Sequence, residues 1–244
     1  LNELLNECLK TVAHSAYSKG LELILDAPMT LREIIEIDDL RVKQVILNLL
    51  NNAIKFTNSG YIRVAVEQKE LTADIVEVSL KIRDTGIGIK AENLQRIFES
   101  FAQEDSTTTR IYGGTGLGLT IAKQIIQSMQ GTIHVESQAN SGSEFSINFR
   151  CRAKAKIQTY QTANHLSGLS ILLVNSSNLY IEVFSKILTY WGINVAGINP
   201  GELNSNFLSD TSKLRSFDII WYDETILSSF EDRLRDSLAK FQSH

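Results

Sequence analysis

One segment limits the possible folds of this chain more than any other: its pattern is that of a long amphipathic helix followed by two strands. Residues 39–56 read DLRVKQVILNLLNNAIKF, and their apolar residues recur at the spacing of one helical face: Val42, Val45, Ile46, Leu49, Leu50, Ala53 and Ile54. Tyr61–Glu67 and Ile75–Arg83 follow, and each alternates apolar and polar residues as a strand does. The pattern predicts an α/β fold in which helices pack on a sheet.

The neighbouring segments continue this alternation of helix and strand. Their patterns predict helices over residues 1–19, Lys90–Phe101 and Leu117–Gln130, and strands over Gly20–Ala27, residues 33–37, Thr132–Ser137 and Glu144–Arg150. Asp38 or Asp39 could cap the start of the long helix. Residues 102–112 are polar and aperiodic, which predicts a long loop.

The composition changes after the last of these strands. From Phe145 to Ile181 the chain has no Asp or Glu, and residues 151–167 are polar and aperiodic. Strands are then predicted at Leu169–Val174, Ile193–Ile198 and Phe217–Asp223, with a helix that Gly192 ends. We therefore expect a first domain over residues 1–150, a linker over 151–167 and a second α/β domain over 168–244.

The overall composition excludes several classes of function. Of the 244 residues 43% are hydrophobic and the net charge is −4, so packed cores are expected and broad attraction to nucleic acid is not. The longest apolar runs are too short for a membrane span, and the chain does not open with a secretory signal. Cys8 and Cys151 lie far apart, which is typical of reduced thiols in a cytoplasmic protein, and the four histidines form no metal-binding pair.

Residues Gly113–Thr120, GGTGLGLT, indicate a backbone that passes close to another group, because four of these eight residues are glycine. The spacing from Gly113 to Gly118 is that of a phosphate-binding P-loop, with Thr120 at the hydroxyl position. Leu119 stands where a P-loop has its lysine, however, so the loop lacks its main positive charge. A phosphate-binding role therefore needs support from other residues.

A polar stripe on the long helix gives such support. Asn48 and Asn52 lie four residues apart and share a helix face, and Lys55 follows near the same face. An amide oxygen suits Mg²⁺, and an ammonium group suits a phosphate oxygen. The alternative is a polar helix edge that faces water, since Asn51 is another asparagine of this helix without such a pattern.

Asp84 ends a predicted strand and opens the sequence DTGIGI. A carboxylate at this position can accept a hydrogen bond from an exocyclic amine such as N6 of adenine. The residues GIGIKA also match the dinucleotide-binding pattern G-x-G-x-x-A between a strand and a helix. That pattern expects a second strand that ends in an acid about 20 residues later. Glu104 and Asp105 lie there in a segment that contains no strand pattern.

Four motifs in one order resemble the catalytic ATP-binding domain of sensor histidine kinases, of the Bergerat type shared with gyrase, heat-shock chaperones and MutL. NLLNNAIKFT, DTGIGI, IFESFAQED and YGGTGLGLTIAKQIIQSMQG resemble the N, G1, F and G2 boxes of that family. The resemblance covers about residues 1–150 and implies a two-layer α/β sandwich with a mixed sheet.

The resemblance also implies roles for individual residues. Asn52 would bind Mg²⁺, Asp84 would bind adenine N6, and Asn48, Lys55 and Arg110 would act on the phosphates. Phe98 and Phe101 would anchor a lid, and the nucleotide would also contact Gly86, Gly88, Ile89, Gly113, Gly114, Thr115, Gly116, Leu117 and Gly118. The glycine run would bring backbone N–H groups and a helix N-terminus to the phosphates.

The reaction implied is phosphoryl transfer from ATP to a histidine rather than hydrolysis. The resemblance implies that Bergerat ATPases have a glutamate base one helical turn before the metal-binding asparagine. This chain has the neutral Asn48 at that position. None of the four histidines lies in an acceptor motif, so we expect the accepting histidine on a separate dimerisation hairpin, with a response regulator or phosphotransfer protein downstream. We expect cytoplasmic action, with any membrane anchor in upstream segments. A non-catalytic nucleotide-binding module and a gyrase-like ATPase remain alternatives.

The second domain resembles the opening of a flavodoxin-like receiver domain, as in hybrid histidine kinases. Asn175 and Ser176 stand where receivers have an acidic pair for Mg²⁺, and Asp223 stands at the phospho-acceptor position. Because Mg²⁺ needs anionic oxygen ligands, we expect a partial and degenerate receiver that is inactive in phosphotransfer.

Overall fold

The computed structural model describes residues 1–29, 31, 35–99, 117–154, 166–202 and 214–222. The chain divides into two compact units, Leu1–Gln158 and Thr159–His244. Within these described ranges, no helix has both the length and the apolar character that a membrane span requires.

The described part of the first unit has three α-helices, α1 (Asn2–Ser18), α2 (Asp39–Phe56) and α3 (Gly118–Ser128). The side chain of Asp38 caps α2 by accepting a hydrogen bond from the Arg41 N–H at 3.0 Å, which confirms one of the two predicted caps. At the other end of α2, Lys19 donates to the carbonyl oxygens of Ile54 and Lys55 at 2.7 and 3.2 Å. Its ammonium group satisfies two carbonyls that the helix leaves unpaired.

In the described residues of this unit, a mixed sheet of six strands forms the second layer. The strands are β1 (Leu21–Asp26), β2 (Ile35–Glu36), β3 (Gly60–Glu70), β4 (Ile75–Asp84), β5 (Thr132–Ser137) and β6 (Ser143–Ala153). Their order is β1-β3-β4-β6-β2, and β5 also pairs with β6. Strands β1 and β3 are parallel and the other pairs are antiparallel, so the predicted α/β architecture with a mixed sheet is confirmed.

The core lies between the helices and one face of the sheet. Alternate residues of β3, β4 and β6 are buried, as the two-residue period of a strand requires, and they pack with apolar residues of the three helices. The buried row of β4 consists of Val76, Val78, Leu80 and Ile82, and it ends at the carboxylate of Asp84.

The structure differs from the sequence-based expectations in two places. The helix predicted over Lys90–Phe101 is a 3₁₀ turn, Ala91–Asn93, followed by further turns as far as Phe98. Most backbone hydrogen bonds in this segment run from an N–H to the carbonyl three residues earlier, as from Leu94 to Ala91. The segment therefore does not form an α-helix. Strand β6 extends to Ala153, where it pairs with β2, so residues 151–153 belong to the sheet and not to the predicted linker.

The described part of the second unit is a small parallel sheet with one α-helix. Strands β7 (Ser170–Val174), β8 (Asn194–Ile198) and β9 (Ile219–Tyr222) lie in the order β8-β7-β9, and helix α4 (Asn178–Tyr190) connects β7 to β8. The Gly192 backbone has a φ of 79°, a left-handed conformation that suits the predicted end of this helix. The strand–helix–strand order predicted from the sequence is confirmed.

Candidate functional site

The first feature of the site is the buried carboxylate at the end of β4. Asp84 is 5% exposed, because the two-residue period of β4 directs its side chain to the core face. Its neighbours in the sheet are Ile62 of β3 and Ser143 of β6. The structure therefore places an ionisable group at the edge of an otherwise apolar layer.

Backbone donors surround this carboxylate. The Gly86 N–H lies 2.8 Å from Asp84 Oδ1, and the Ser143 N–H lies close enough to favour the charged carboxylate. Burial nevertheless raises the pKa of Asp84, and these hydrogen bonds only partly offset the effect. The Thr57 hydroxyl is fully buried and has no partner at hydrogen-bonding geometry among the residues that the structure describes, although it lies close enough to favour the charged carboxylate. An unpaired hydroxyl beside a carboxylate fits a site for a polar ligand edge.

Gly86 allows the loop after β4 to pack tightly beside Asp84. A Cβ atom at this position would collide with the carbonyl oxygen of Phe56 and lie 2.9 Å from Asp84 Oδ1. The same Phe56 carbonyl accepts a hydrogen bond from the Ile87 N–H at 3.1 Å. The loop after β4 is thus held directly against the end of α2, and only glycine fits there.

The turn between β5 and β6 holds the other side of this loop. Gly88 has a φ of 67°, and a Cβ atom there would collide with the Gln138 carbonyl group. The Asn140 N–H donates to the Ile87 carbonyl at 2.6 Å, and the Ile89 N–H donates to Ser137 Oγ at 2.7 Å. The loop from Asp84 to Ile89 is therefore fixed from two directions.

The polar stripe of α2 faces the start of α3. Asn48, Asn52 and Lys55 are each partly exposed, whereas the apolar residues between them are buried. A Cβ atom on Gly118 would collide with Asn48 Oδ1 and lie 2.8 Å from Asn48 Nδ2, so the two helices touch at this glycine. Burial lowers the pKa of Lys55, whose Nζ lies 4.8 Å from the centroid of the Phe56 ring.

The N-terminus of α3 is suited to an anion. Leu117 precedes the helix without a capping hydrogen bond from its side chain, and the first turn has no acidic residue. A helix N-terminus carries partial positive charge and free N–H groups, so this end favours negatively charged ligands. Nearby, the rings of Phe98 and Phe145 meet edge to face at 6.5 Å, which fixes the end of the segment before residue 100 to the core.

Several predicted site residues lie outside the described residues, namely Arg110, Gly113, Gly114, Thr115, Gly116, Phe101 and Asp223. Sequence reasoning missed Thr57, Ser137 and Ser143, which contact Asp84 or its loop. Thr57 lies two residues after Lys55 of the polar stripe, Ser137 ends β5 and Ser143 begins β6. The strand register, which the sequence does not provide, is what brings Ser143 opposite Asp84.

The donor set fits a nucleotide better than a metal bound by protein alone. No group of three or more His, Cys, Asp or Glu side chains that could hold a metal ion occurs in the described ranges. The site instead combines one buried carboxylate, amide groups, an ammonium group and a helix N-terminus. Such groups suit a base with an exocyclic amine and an attached chain of phosphates.

Comparison with known proteins gives the same indication. Residues 37–153 match the histidine kinase-, DNA gyrase B- and HSP90-like ATPase family. Signal transduction histidine-protein kinase BarA of Escherichia coli strain K12 is 43% identical over 145 residues, which are 59% of this chain and 16% of BarA. Sensor protein GacS of Pseudomonas syringae pv. syringae is 31% identical over 244 residues, which are 98% of this chain and 26% of GacS.

A solved structure shares the fold. The crystal structure of full-length ShkA in complex with AMPPNP has a TM-score of 0.65 and 19% identity, over 97% of this chain and 56% of ShkA. The chain spans 16% of BarA and 26% of GacS, which is much less than the length of either relative. Residues 37–153 of this chain are thus similar to the histidine kinase-, DNA gyrase B- and HSP90-like ATPase family.

Proposed function

We propose that the first unit binds ATP with its adenine against Asp84 and its phosphates between α2 and α3. The buried carboxylate of Asp84, against which the glycine loop at Gly86 packs, carries this proposal, because it offers an acceptor to an exocyclic amine. The Thr57 hydroxyl supplies a second polar group at the same place. ShkA, which shares the fold, was crystallised with AMPPNP, an analogue of ATP.

The phosphates would meet the polar stripe of α2. Asn52 would bind Mg²⁺ through its amide oxygen, with phosphate oxygens and water completing the shell, since Mg²⁺ prefers oxygen ligands and keeps several waters. When bound, Mg²⁺ neutralises phosphate charge. Lys55 would hold a phosphate oxygen, Asn48 would support the polyphosphate, and the N-terminus of α3 would add partial positive charge. The glycine run and Arg110 are assigned here by motif alone.

The chemistry that this site supports best is transfer of the γ-phosphoryl group to a histidine. Phosphoryl transfer depends on positioning and charge stabilisation more than on covalent help from the protein. Asn48 lies against α3 and has no proton-accepting group at neutral pH, so the site has no base there to activate water. The acceptor would be a histidine, in line with the name of BarA, a histidine-protein kinase. We place this histidine on a separate dimerisation hairpin. We place this reaction in the cytoplasm, where ATP is available.

We further propose that the second unit is a receiver-like domain that does not bind Mg²⁺. Asn175, at the end of β7, is 5% exposed and accepts a hydrogen bond from the Ser177 N–H at 2.7 Å. Its amide oxygen is thus engaged by the chain itself, and the position has no negative charge. A docking role toward a response regulator or phosphotransfer protein would remain to this unit.

A transphosphorylation assay tests the proposal. The chain is mixed with Mg-ATP labelled at the γ-phosphate and with a separately produced histidine hairpin from a related sensor kinase, and acid-labile label on the hairpin is measured. We expect label on the wild-type hairpin and none on a hairpin whose acceptor histidine is replaced. The hairpin is first shown to accept phosphate from the kinase domain of its own parent protein. If this chain binds nucleotide but transfers no label to that hairpin, the non-catalytic module is favoured.

A substitution at Asn48 separates kinase from ATPase. Asn48→Glu introduces a carboxylate where the related ATPases have their base, so background ATP hydrolysis should rise by about tenfold or more. Phosphate release is measured with wild type and Asn48→Gln as controls. Unchanged hydrolysis in a variant that still binds nucleotide would contradict the assignment of Asn48.

A further inference from the structure

The hydroxyl group of Ser137 is the centre of a hydrogen-bond network under the candidate adenine loop. Its Oγ accepts from the Ile89 N–H at 2.7 Å, donates to the Gly142 carbonyl at 2.8 Å and lies 3.0 Å from Ser143 Oγ. A hydroxyl group has one proton and two lone pairs. Since the proton is used on Gly142 and one lone pair on Ile89, the remaining lone pair must accept the proton of Ser143.

This arrangement decides where the Ser143 hydroxyl points. Ser143 is 8% exposed and lies opposite Asp84 in the register of β4 and β6. Because its proton goes to Ser137, this hydroxyl is not available to the Asp84 carboxylate, which lies near the Ser143 backbone N–H. The carboxylate therefore keeps acceptor capacity that a free hydroxyl beside it would use.

The same network fixes the turn to the strand that carries Asp84. Gly142 has a φ of 87°, and a Cβ atom at this position would collide with the carbonyl oxygen of Asp84. Ser137 closes the turn from the other side through the Gly142 carbonyl. A change at Ser137 would thus affect both the position of the loop and the hydrogen bonding of the carboxylate.

We propose that Ser137 is a positioning residue for purine specificity: it holds the loop through Ile89 and keeps the Ser143 hydroxyl directed away from Asp84. This inference rests on the proposed binding of ATP. Without the Ser137 hydroxyl, Ser143 is free to donate to Asp84 and competes with the 6-amino group of the base. Loss of the Ser137 hydroxyl should therefore reduce the discrimination between purine bases, while the affinity for the phosphates should not change.

The test compares ATP with purine riboside triphosphate, which lacks the 6-amino group. Calorimetry gives the Kd of purine riboside triphosphate divided by the Kd of ATP, and this ratio measures the preference for the 6-amino group. It is determined for wild type, Ser137→Ala, Ser137→Thr and the double variant Ser137→Ala/Ser143→Ala. Ser128→Ala is the matched control, because its hydroxyl makes one local bond to the Ile125 carbonyl at 2.7 Å near the end of α3. We expect Ser137→Ala to reduce the ratio roughly tenfold, the lower end of the effect of a hydrogen bond to a charged group.

The other variants separate positioning from general stability. Ser137→Thr and Ser128→Ala should keep the wild-type ratio, and the double variant should recover part of the loss, because it no longer has a competing hydroxyl group. An unchanged ratio in a folded Ser137→Ala protein, or no recovery in the double variant, would overturn the proposal. If the wild type binds neither triphosphate, the proposed function itself is wrong, and this inference fails with it.

A measurement on the wild-type protein covers the case in which Ser137→Ala does not fold. The contact to Ser137 should protect the Ile89 amide from hydrogen exchange in the unliganded protein, relative to the exchange rate of an unstructured peptide. Exchange at the rate of an unstructured peptide would overturn the proposal whatever the variants do.

Discussion

Replacing Asp84 by Asn should weaken ATP binding without weakening the fold. The amide oxygen of Asn can still accept from the Gly86 N–H, which lies 2.8 Å from Oδ1 in the wild type. What is lost is the negative charge that faces the base, and a hydrogen bond to a charged group contributes about 1.5–3 kcal/mol. The Kd for ATP should therefore rise by about 10- to 150-fold.

The stability effect has the opposite sign. Burial raises the pKa of Asp84 above its ordinary value of 3.8, so between these two values the folded state binds more protons than the unfolded state. The free energy of unfolding of the wild type therefore falls as the pH rises through that window, and at neutral pH the charged group reduces stability. Asp84→Asn has no carboxyl group to ionise, so the variant should be at least as stable as wild type at pH 7. Its free energy of unfolding relative to wild type should increase as the pH rises through the same window.

Hydrogen exchange of the β4 and β6 amides is a suitable assay, with calorimetry for the Kd. Tryptophan fluorescence is not, because Trp191 and Trp221 both lie in the second unit. The reasoning would be refuted by an Asp84→Asn protein that binds ATP as tightly as wild type. It would also be refuted by a variant that is clearly less stable at pH 7 but equal to wild type in acid.

Three further substitutions probe the packing around the site. Gly86→Ala should lower the free energy of unfolding of the first unit by about 1–3 kcal/mol, because the added methyl group collides with backbone. Gly201→Ala is the control: its methyl group would meet no described atom within 4 Å, so the free energy of unfolding should change by less than about 0.5 kcal/mol. Denaturant titrations measure both values. Gly118→Ala should weaken Mg-ATP binding by roughly tenfold in calorimetry because its methyl group displaces the Asn48 amide, and an unaltered Kd would argue against a phosphate role for Asn48. Lys19→Met should reduce the protection of the last amides of α2 by about 0.5–1 kcal/mol, with Lys19→Arg retaining most of it; equal protection in both variants would show that the cap is dispensable.

The sequence alone predicts the elements whose period is long and regular. Helix α2 has seven buried apolar residues at helical spacing and a capping Asp38, so its extent follows from local chemistry. Strands β3 and β4 alternate cleanly, and the same period predicts that Asp84 faces inward with Ile82 and Leu80. The candidate site could be anticipated because its side chains lie within such segments.

The remaining features depend on contacts between distant segments. The sequence does not show that β6 pairs with both β4 and β5, and this register is what brings Ser143 opposite Asp84. It also does not show that Gly118 touches Asn48, or that Ser137 donates to Gly142 while it accepts from the loop after Asp84. The segment after Lys90 has helical spacing, yet its apolar residues fit a series of turns equally well.

A crystal structure of the chain with Mg²⁺ and a non-hydrolysable ATP analogue would test the central claim most directly. The account predicts N6 of the adenine at about 2.8–3.1 Å from a carboxylate oxygen of Asp84, with the phosphates between Lys55 and the start of α3. A base bound elsewhere, with no contact to Asp84, would contradict it.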